Sequence, residues 1–427
     1  MDRRQFLKSV SVGSLVAGAS ALGPGVLVPS GLWASTPKIK GPIKIGYQAA
    51  LSGTLAGSGE FHKMGALMAV EEINHKGGIA GNKIEIEIRD TALKPDEVLK
   101  NAYYFVDSWG ADFLAGLDLS GQSLALAPVM DKLDRVLMIT NAATEKLTEE
   151  WVAKKGIKQI FRICSSTYHD AQAAAILAKD FPALKWATVS PKNEYGFSCW
   201  RMFQETLKRL KPGVSFISES WVPSGLNDLR PFINTLLEAN PDGLYSTERG
   251  NDLVQFIRQA RPAGVFDKIK YILFPLGAGL DVLEGLGQEF PDNVWISGRY
   301  FFLYPNNRTN SDWVARFRKR WNRYPASVSE CAYSAIYAFK AALEKTGTKE
   351  TKALIKALEG MELETPAGNR LFRKEDHQAI YDLPWGRPKS DSKYPFKIMG
   401  EMKIIPAKVY SHRPLFEGQV LGSDPHL

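Results

Sequence analysis

Beyond residue 40 the hydrophobic positions switch repeatedly between a spacing of two and a spacing of about 3.6. Ile43–Ala49 is an apolar run suited to a buried parallel strand. Phe61, Met64, Leu67, Val70 and Ile73 recur every three residues and predict the buried face of a helix, with Ala66 and Ala69 beside them. Glu71, Glu72 and Asn74 are left for water. Lys76-Gly77-Gly78 stops this helix, because glycine tolerates a left-handed exit. Ile84, Ile86 and Ile88 then alternate with Glu85, Glu87 and Arg89, the pattern of a strand with one solvated face. Residues 43–90 thus read as a strand–loop–helix–turn–strand unit, and the loop at 50–59 is nearly all small residues.

The alternation continues along the chain. Helices are expected over 95–109, 121–133, 170–181, 197–210, 228–239 and 251–263. Strands are expected over 112–116, 136–140, 159–163, 186–190, 214–221, 243–246, 270–274 and 294–297. Strands and helices in alternation predict an α/β fold, with parallel sheets covered by helices on both faces. Two such series imply two similar lobes. The last third differs: helices are expected at 311–324 and 328–346, separated by Pro325, and a shorter one at 351–358. A closing strand is expected at 402–409, and a loose tail from 410.

The first 34 residues do not belong to this pattern. Asp2-Arg3-Arg4-Gln5-Phe6-Leu7-Lys8 is a twin-arginine signature. The mild apolar stretch after it is broken by glycines and prolines and ends at Leu32-Trp33-Ala34. It makes a poor membrane span and a good cleavable export leader. No cysteine near that point suggests a lipid anchor. No later segment reads as a membrane span. The chain of 427 residues is long enough for two ordinary domains, and its net charge of +8 is mildly basic. The densest basic run, Arg316 to Arg320 with Arg323, lies in a helical pattern with Trp313, Phe317 and Trp321. It reads as a solvated helix face over an apolar stripe, so no nucleic-acid partner is expected. Cys164, Cys199 and Cys331 form no paired motif and read as small buried thiols.

In open α/β sheets ligands bind beyond the carboxyl ends of the strands. The candidate loops are therefore 51–59, 117–121 and 141–144 in the first series, and 191–196, 247–250 and 275–279 in the second. Ser120 and Thr144 each precede a helix start. They serve as simple caps or as part of an anion site, and the two roles are compatible. Signals for catalysis are weak. The six histidines have no partner at metal-ligand spacing, no G-x-S-x-G or lysine-bearing phosphate loop occurs, and Gly277-Ala278-Gly279 lacks a dinucleotide fingerprint. No enzyme activity, cofactor or metal is expected.

Several segments together resemble the periplasmic solute-binding proteins of branched-chain amino acid type ABC transporters. They are IKIGYQAALSG at 43–53, GALMAVEEINHKGGIAGNKIEI at 65–86, FLAGLDLSGQSLALAPV at 113–129, ITNAATEKLT at 139–148, FRICSSTYHDAQAAA at 161–175, EYGFS at 194–198 and YSAIYAFKAALEKTGT at 333–348. The resemblance implies a type I binding-protein fold: two doubly wound parallel-sheet lobes joined by a three-segment hinge, with the ligand between them. It implies lobe 1 from 40–162 and 302–380, and lobe 2 from 163–301 and 381–427. It also implies a periplasmic protein, exported by the twin-arginine route, that hands a small solute to an ABC permease. The same fold also serves as a ligand-sensing module for a signalling partner. By resemblance, the hydroxyls of Ser120 and Thr144 receive a carboxylate, the Ala142 carbonyl faces an ammonium, and Tyr195 closes over the ligand. The family's ammonium-pairing glutamate is replaced here by Leu276. Either Glu248 takes over, or the solute is an aliphatic or aromatic acid without an amino group. Ser58 stands where many relatives carry a larger aromatic residue and leaves room for a bulkier solute. Arg249 is a candidate for a second acidic group or a solvated arginine.

Overall fold

The computed structural model describes residues 39–410. The expected leader at 1–34 and the tail beyond Tyr410 lie outside the described residues. β1 (Ile43–Ala49) passes through a tight turn into α1 (Ala56–His75) and then β2 (Ile84–Asp90). α2 (Pro95–Tyr103), β3 (Phe113–Gly116), α3 (Ser120–Leu126), α4 (Met130–Leu133), β4 (Val136–Ile139) and β5 (Ile160–Arg162) complete the first series. The five strands form one sheet in the order β2-β1-β3-β4-β5, every pair parallel. β3 and β4 are buried throughout, as strands covered on both faces must be. The edge strand β2 keeps only Ile84 fully buried.

The second series runs α5 (Thr167–Ala178), β6 (Lys185–Pro191), α6 (Glu194–Leu210), β7 (Ser215–Val222), α7 (Arg230–Ala239), β8 (Gly243–Tyr245), α8 (Gly250–Ala260), α9 (Val265–Lys268), β9 (Tyr271–Phe274), α10 (Leu280–Leu286) and β10 (Val294–Ser297). The chain then returns to the first sheet. α11 (Arg308–Trp321), α12 (Ser327–Thr346) and α13 (Thr351–Leu358) lead to a small antiparallel sheet of β11 (Glu362–Thr365), β12 (Gly368–Phe372) and β13 (Ala379–Ile380). This small sheet covers the open edge of β5: Arg162 N–H donates to the His377 carbonyl at 3.1 Å, and the His377 ring stacks on Phe161 at 3.9 Å. The chain crosses once more into β14 (Leu383–Lys389) and β15 (Ile398–Ile405), which extend the second sheet to the order β15-β14-β10-β9-β8-β6-β7. That sheet is parallel from β10 to β7 and antiparallel at β14 and β15. The chain therefore passes between the sheets three times.

Several expectations shift for local reasons. The helix expected over 121–133 is broken after α3 by a tight turn at Ala127–Val129, where Pro128 cannot donate to the helical ladder. The helix expected over 95–109 continues past α2 as wider turns at Tyr104–Trp109 and ends on left-handed Gly110. The closing strand expected at 402–409 lies instead at Ile398–Ile405, followed by a helical turn. β14 was not anticipated, because Pro384 and Pro388 argue against an inner strand. It pairs with β10 only through Trp385 and Gly386, between its two prolines. All three cysteines are buried and free.

α1 and α12 pack at close range, and Gly65 permits it. A Cβ on Gly65 would overlap the backbone carbonyl of Ser329. Gly65→Ala should therefore lower stability by about 1–3 kcal/mol, the usual cost of overpacking. A fall in the denaturation midpoint at unchanged slope would show it; an unchanged midpoint would mean that the helices part without cost.

Candidate functional site

The carboxyl ends of the parallel strands in both sheets open onto one cavity of about 440 Å³. From the first sheet it receives Thr54 and Leu55 after β1, Asp118, Ser120 and Gln122 after β3, and Asn141 and Ala143 after β4. From the second it receives Asn193, Glu194 and Tyr195 after β6, Ser224 and Gly225 after β7, Glu248, Arg249 and Asp252 after β8, and Arg299 after β10. A smaller hollow of about 80 Å³ adjoins it and shares Leu55, Asn141, Arg249 and Arg299.

Of the residues expected to bind, Ser120, Tyr195 and Glu248 line the main cavity, while Ser58 and Leu276 line the smaller hollow. Ala142 and Thr144 line neither. The carbonyl of Ala142 accepts from Arg162 Nη1 at 3.4 Å, so it is turned to a buried guanidinium and not to the cavity. Thr144 is set one step back: its N–H donates to Ser120 Oγ at 3.2 Å, and its hydroxyl donates to Glu194 at 3.2 Å. Ser58 donates to Asp118 at 3.3 Å.

Asp118 and Asn141 fall in loops expected to hold ligand but were not singled out there, while Gln122 and Arg299 lie outside those loops. Asp118 carried a visible signal, an acid within the apolar run before Ser120. The loop after β10 was not weighed, although it too follows a parallel strand, and it carries Arg299.

The electrostatics differ sharply between neighbouring carboxyls. Burial works against ionisation of Asp118, yet the His62 ring at 3.1 Å, the Ala50 N–H at 2.9 Å and the Asn141 amide at 3.2 Å hold its pKa well below the usual carboxylate range. His62 is anchored from behind by the Tyr47 hydroxyl at 2.7 Å. Glu248 is only 3% exposed and has no such donors. Burial, then the nearby charge of Asp252, push its carboxyl from 4.5 up to about 8. Arg299 is fully engaged. It pairs with Asp170 at 2.7 Å and donates to the carbonyl and side-chain oxygen of Asn141 at 2.6 and 2.8 Å. The Tyr195 hydroxyl donates to the same Asp170 oxygen at 2.9 Å, and burial drives the phenol pKa well up. Lys146 pairs with the cavity residue Glu194 at 3.0 Å, and farther back Arg201 pairs with the buried Glu145 at 2.5 Å.

Among the described residues no cluster of three or more His, Cys, Asp or Glu side chains is placed to hold a metal, and no helix is long and apolar enough to cross a membrane. What the cavity offers is oriented donors, acceptors and a few charges inside a mostly closed space. That suits selection of a small molecule.

Known proteins share this build. The profile of the family described as periplasmic binding protein matches residues 42–393. The chain is 25% identical over 344 residues to the leucine-, isoleucine-, valine-, threonine- and alanine-binding protein of Pseudomonas aeruginosa, covering 80% of this chain and 88% of that one. It is 28% identical over 346 residues to a Leu/Ile/Val-binding protein of Rhizobium johnstonii, covering 78% and 88%. Among solved structures, a solute binding protein of an ABC transporter from Rhodopseudomonas palustris, in complex with 3,4-dihydroxybenzoic acid, aligns with a TM-score of 0.76 at 22% identity, covering 86% of this chain and 98% of that one. A leucine binding protein from Thermotoga maritima aligns with a TM-score of 0.74 at 20% identity, covering 84% and 98%. With two sheets, three crossings and a cavity at the strand ends, the chain belongs to the periplasmic binding protein family and has its type I fold.

Proposed function

We propose that this protein is an extracytoplasmic solute-binding protein that delivers a small carboxylate-bearing solute, an amino acid or an aromatic or aliphatic acid, to an ABC importer. The observation that carries the reading is the cavity of about 440 Å³ built jointly by the strand ends of both sheets. Its relatives support the solute class: one is named for binding leucine, isoleucine, valine, threonine and alanine, and a solute binding protein of the same fold is solved in complex with 3,4-dihydroxybenzoic acid. The division into lobes at 40–162 with 302–380, and 163–301 with 381 onward, belongs to this reading; in its support, β1–β5 share one sheet, and β6–β10 share another with β14 and β15. The twin-arginine motif near the N-terminus supports export to the periplasm by that route. A membrane permease is the partner of the closed form, and no chemistry is performed on the solute.

Ser120, Tyr195 and Glu248 contact the solute in the main cavity; Ser58 and Leu276 shape the adjoining hollow. Thr144 and Ala142 act behind them, Thr144 by holding the Ser120 oxygen in place. Affinity comes from closure of the lobes over a largely preformed site.

A panel of amino acids, aromatic acids, aliphatic acids and small amides should contain at least one solute that raises the melting temperature, because a ligand selective for the native state stabilises it. A folded protein with no shift across the panel would count against solute transport. Ser120→Ala should weaken that solute by about fivefold to tenfold, the worth of one hydrogen bond, measured by titration calorimetry. Glu248 supplies a pH test. Between about pH 4.5 and 8 the folded protein keeps the Glu248 proton that the unfolded chain has released, so folding stability falls as pH rises through that window and levels off above it. Glu248→Gln removes that part of the slope. Its melting temperature relative to the parent should climb across the window; a constant difference would show that Glu248 is ionised in the fold.

A further inference from the structure

Two guanidinium groups line the main cavity, and they are in opposite states. Arg299 has its charge balanced by Asp170 and its donors taken by Asn141. Arg249 precedes α8, is half-buried, and lines both the main cavity and the smaller hollow. Among the described residues it makes no ion pair; its guanidinium lies over the Tyr195 ring at 5.8 Å. Three carboxyls stand nearby: Glu248 is buried and pushed up to about 8, Asp252 is half-buried and Asp281 is exposed, and none of them forms an ion pair with it. Glu248, which keeps its proton, is no counter-ion, whereas a guanidinium is always charged. Arg249 is thus a cation in the cavity wall with no ion-pair partner among the described residues.

A second group points the same way from the other sheet. Gln122 is 1% exposed and lines the cavity. Its oxygen accepts from the Leu119 N–H at 3.2 Å, while its Nε2, which can only donate, has no partner. A buried donor left in this way calls for an acceptor. The lining is poorly disposed to an ammonium. Asp118 already accepts from Ala50, Ser58, His62 and Asn141, and Glu194 is held by Thr144 and Lys146.

Resting on the solute-binding reading above, we propose that Arg249 receives the solute's carboxylate by two-point guanidinium pairing, that Gln122 Nε2 donates to an oxygen of the same solute, and that the preferred solute is an acid without an ammonium group. The anchor of the acid then lies on the second sheet, not on the hydroxyls of Ser120 and Thr144.

The test uses four probes: L-leucine, 4-methylpentanoate (leucine without its ammonium), 4-methylpentanamide and 3,4-dihydroxybenzoate. Titration calorimetry on the parent should show an acid bound at least roughly thirtyfold more tightly than the matched amide or amino acid. Arg249→Gln should weaken that acid by roughly thirtyfold or more, with Arg249→Lys in between because an ammonium cannot pair at two points. The melting temperature without solute should stay close to the parent, since Arg249 has no ion pair to lose. Gln122→Leu should cost about fivefold. Acid binding within about twofold of the parent in Arg249→Gln overturns this assignment and leaves solute transport standing. Preferential binding of L-leucine overturns it as well. No binding of any of the four overturns it together with the acid-carrying class of solute.

Discussion

The cavity depends on a buried ion pair. Arg299 is 3% exposed and Asp170 2%, so neither can lean on water for its charge. Such a pair persists only when the remaining donors and acceptors are also satisfied. Here they are. Asn141 takes the second arm of the guanidinium, and Ser165 and Tyr195 donate to the two oxygens of Asp170. These partners come from the loop after β4, the turn into α5, the start of α6 and the loop after β10. One ion pair therefore joins the carboxyl ends of both sheets. Removing one partner would leave a buried charge uncompensated, at a cost of about 3–5 kcal/mol.

The more exposed contacts are of another kind. Lys146 and Glu194 are 43% and 25% exposed, and an ion pair that open to water contributes about 1 kcal/mol or less. The buried pair therefore ties the two sheets firmly, whereas the exposed pair adds little. The same contrast separates the cavity's acids. Asp118 and Glu248 are both buried, yet one sits among four donors and ionises readily, while the other has none and holds its proton. Environment, not residue type, sets what each can offer a solute.

Much of this was legible from residue order. The unit at 43–90 folds as its spacing requires, because an isoleucine-rich run and a helix face repeating every three residues have few other ways to bury their apolar atoms. The boundaries of β10, α13 and most of the second series follow for the same reason. β14 escaped notice because its prolines mask a strand whose pairing partner, β10, lies some ninety residues earlier. The small sheet β11–β13 escaped because its short strands are stabilised by covering β5, a role that no local pattern announces. Ser120, Tyr195 and Glu248 could be named as cavity residues because they follow strands. Arg299 could have been named on the same ground.

Local patterning by itself determined the alternation of strands and helices, hence two parallel sheets and the strand ends at which a cavity must open. Hydrophobic burial imposes those periods wherever the chain folds. Which side chains face that cavity, and in what charge state, was decided by tertiary structure alone. Thr144 was turned away by Glu194, Arg299 was neutralised by an aspartate 129 residues away, and Arg249 was left unpaired beside the buried Glu248. Charges and hydrogen bonds act over a few ångströms in space and carry no period along the chain.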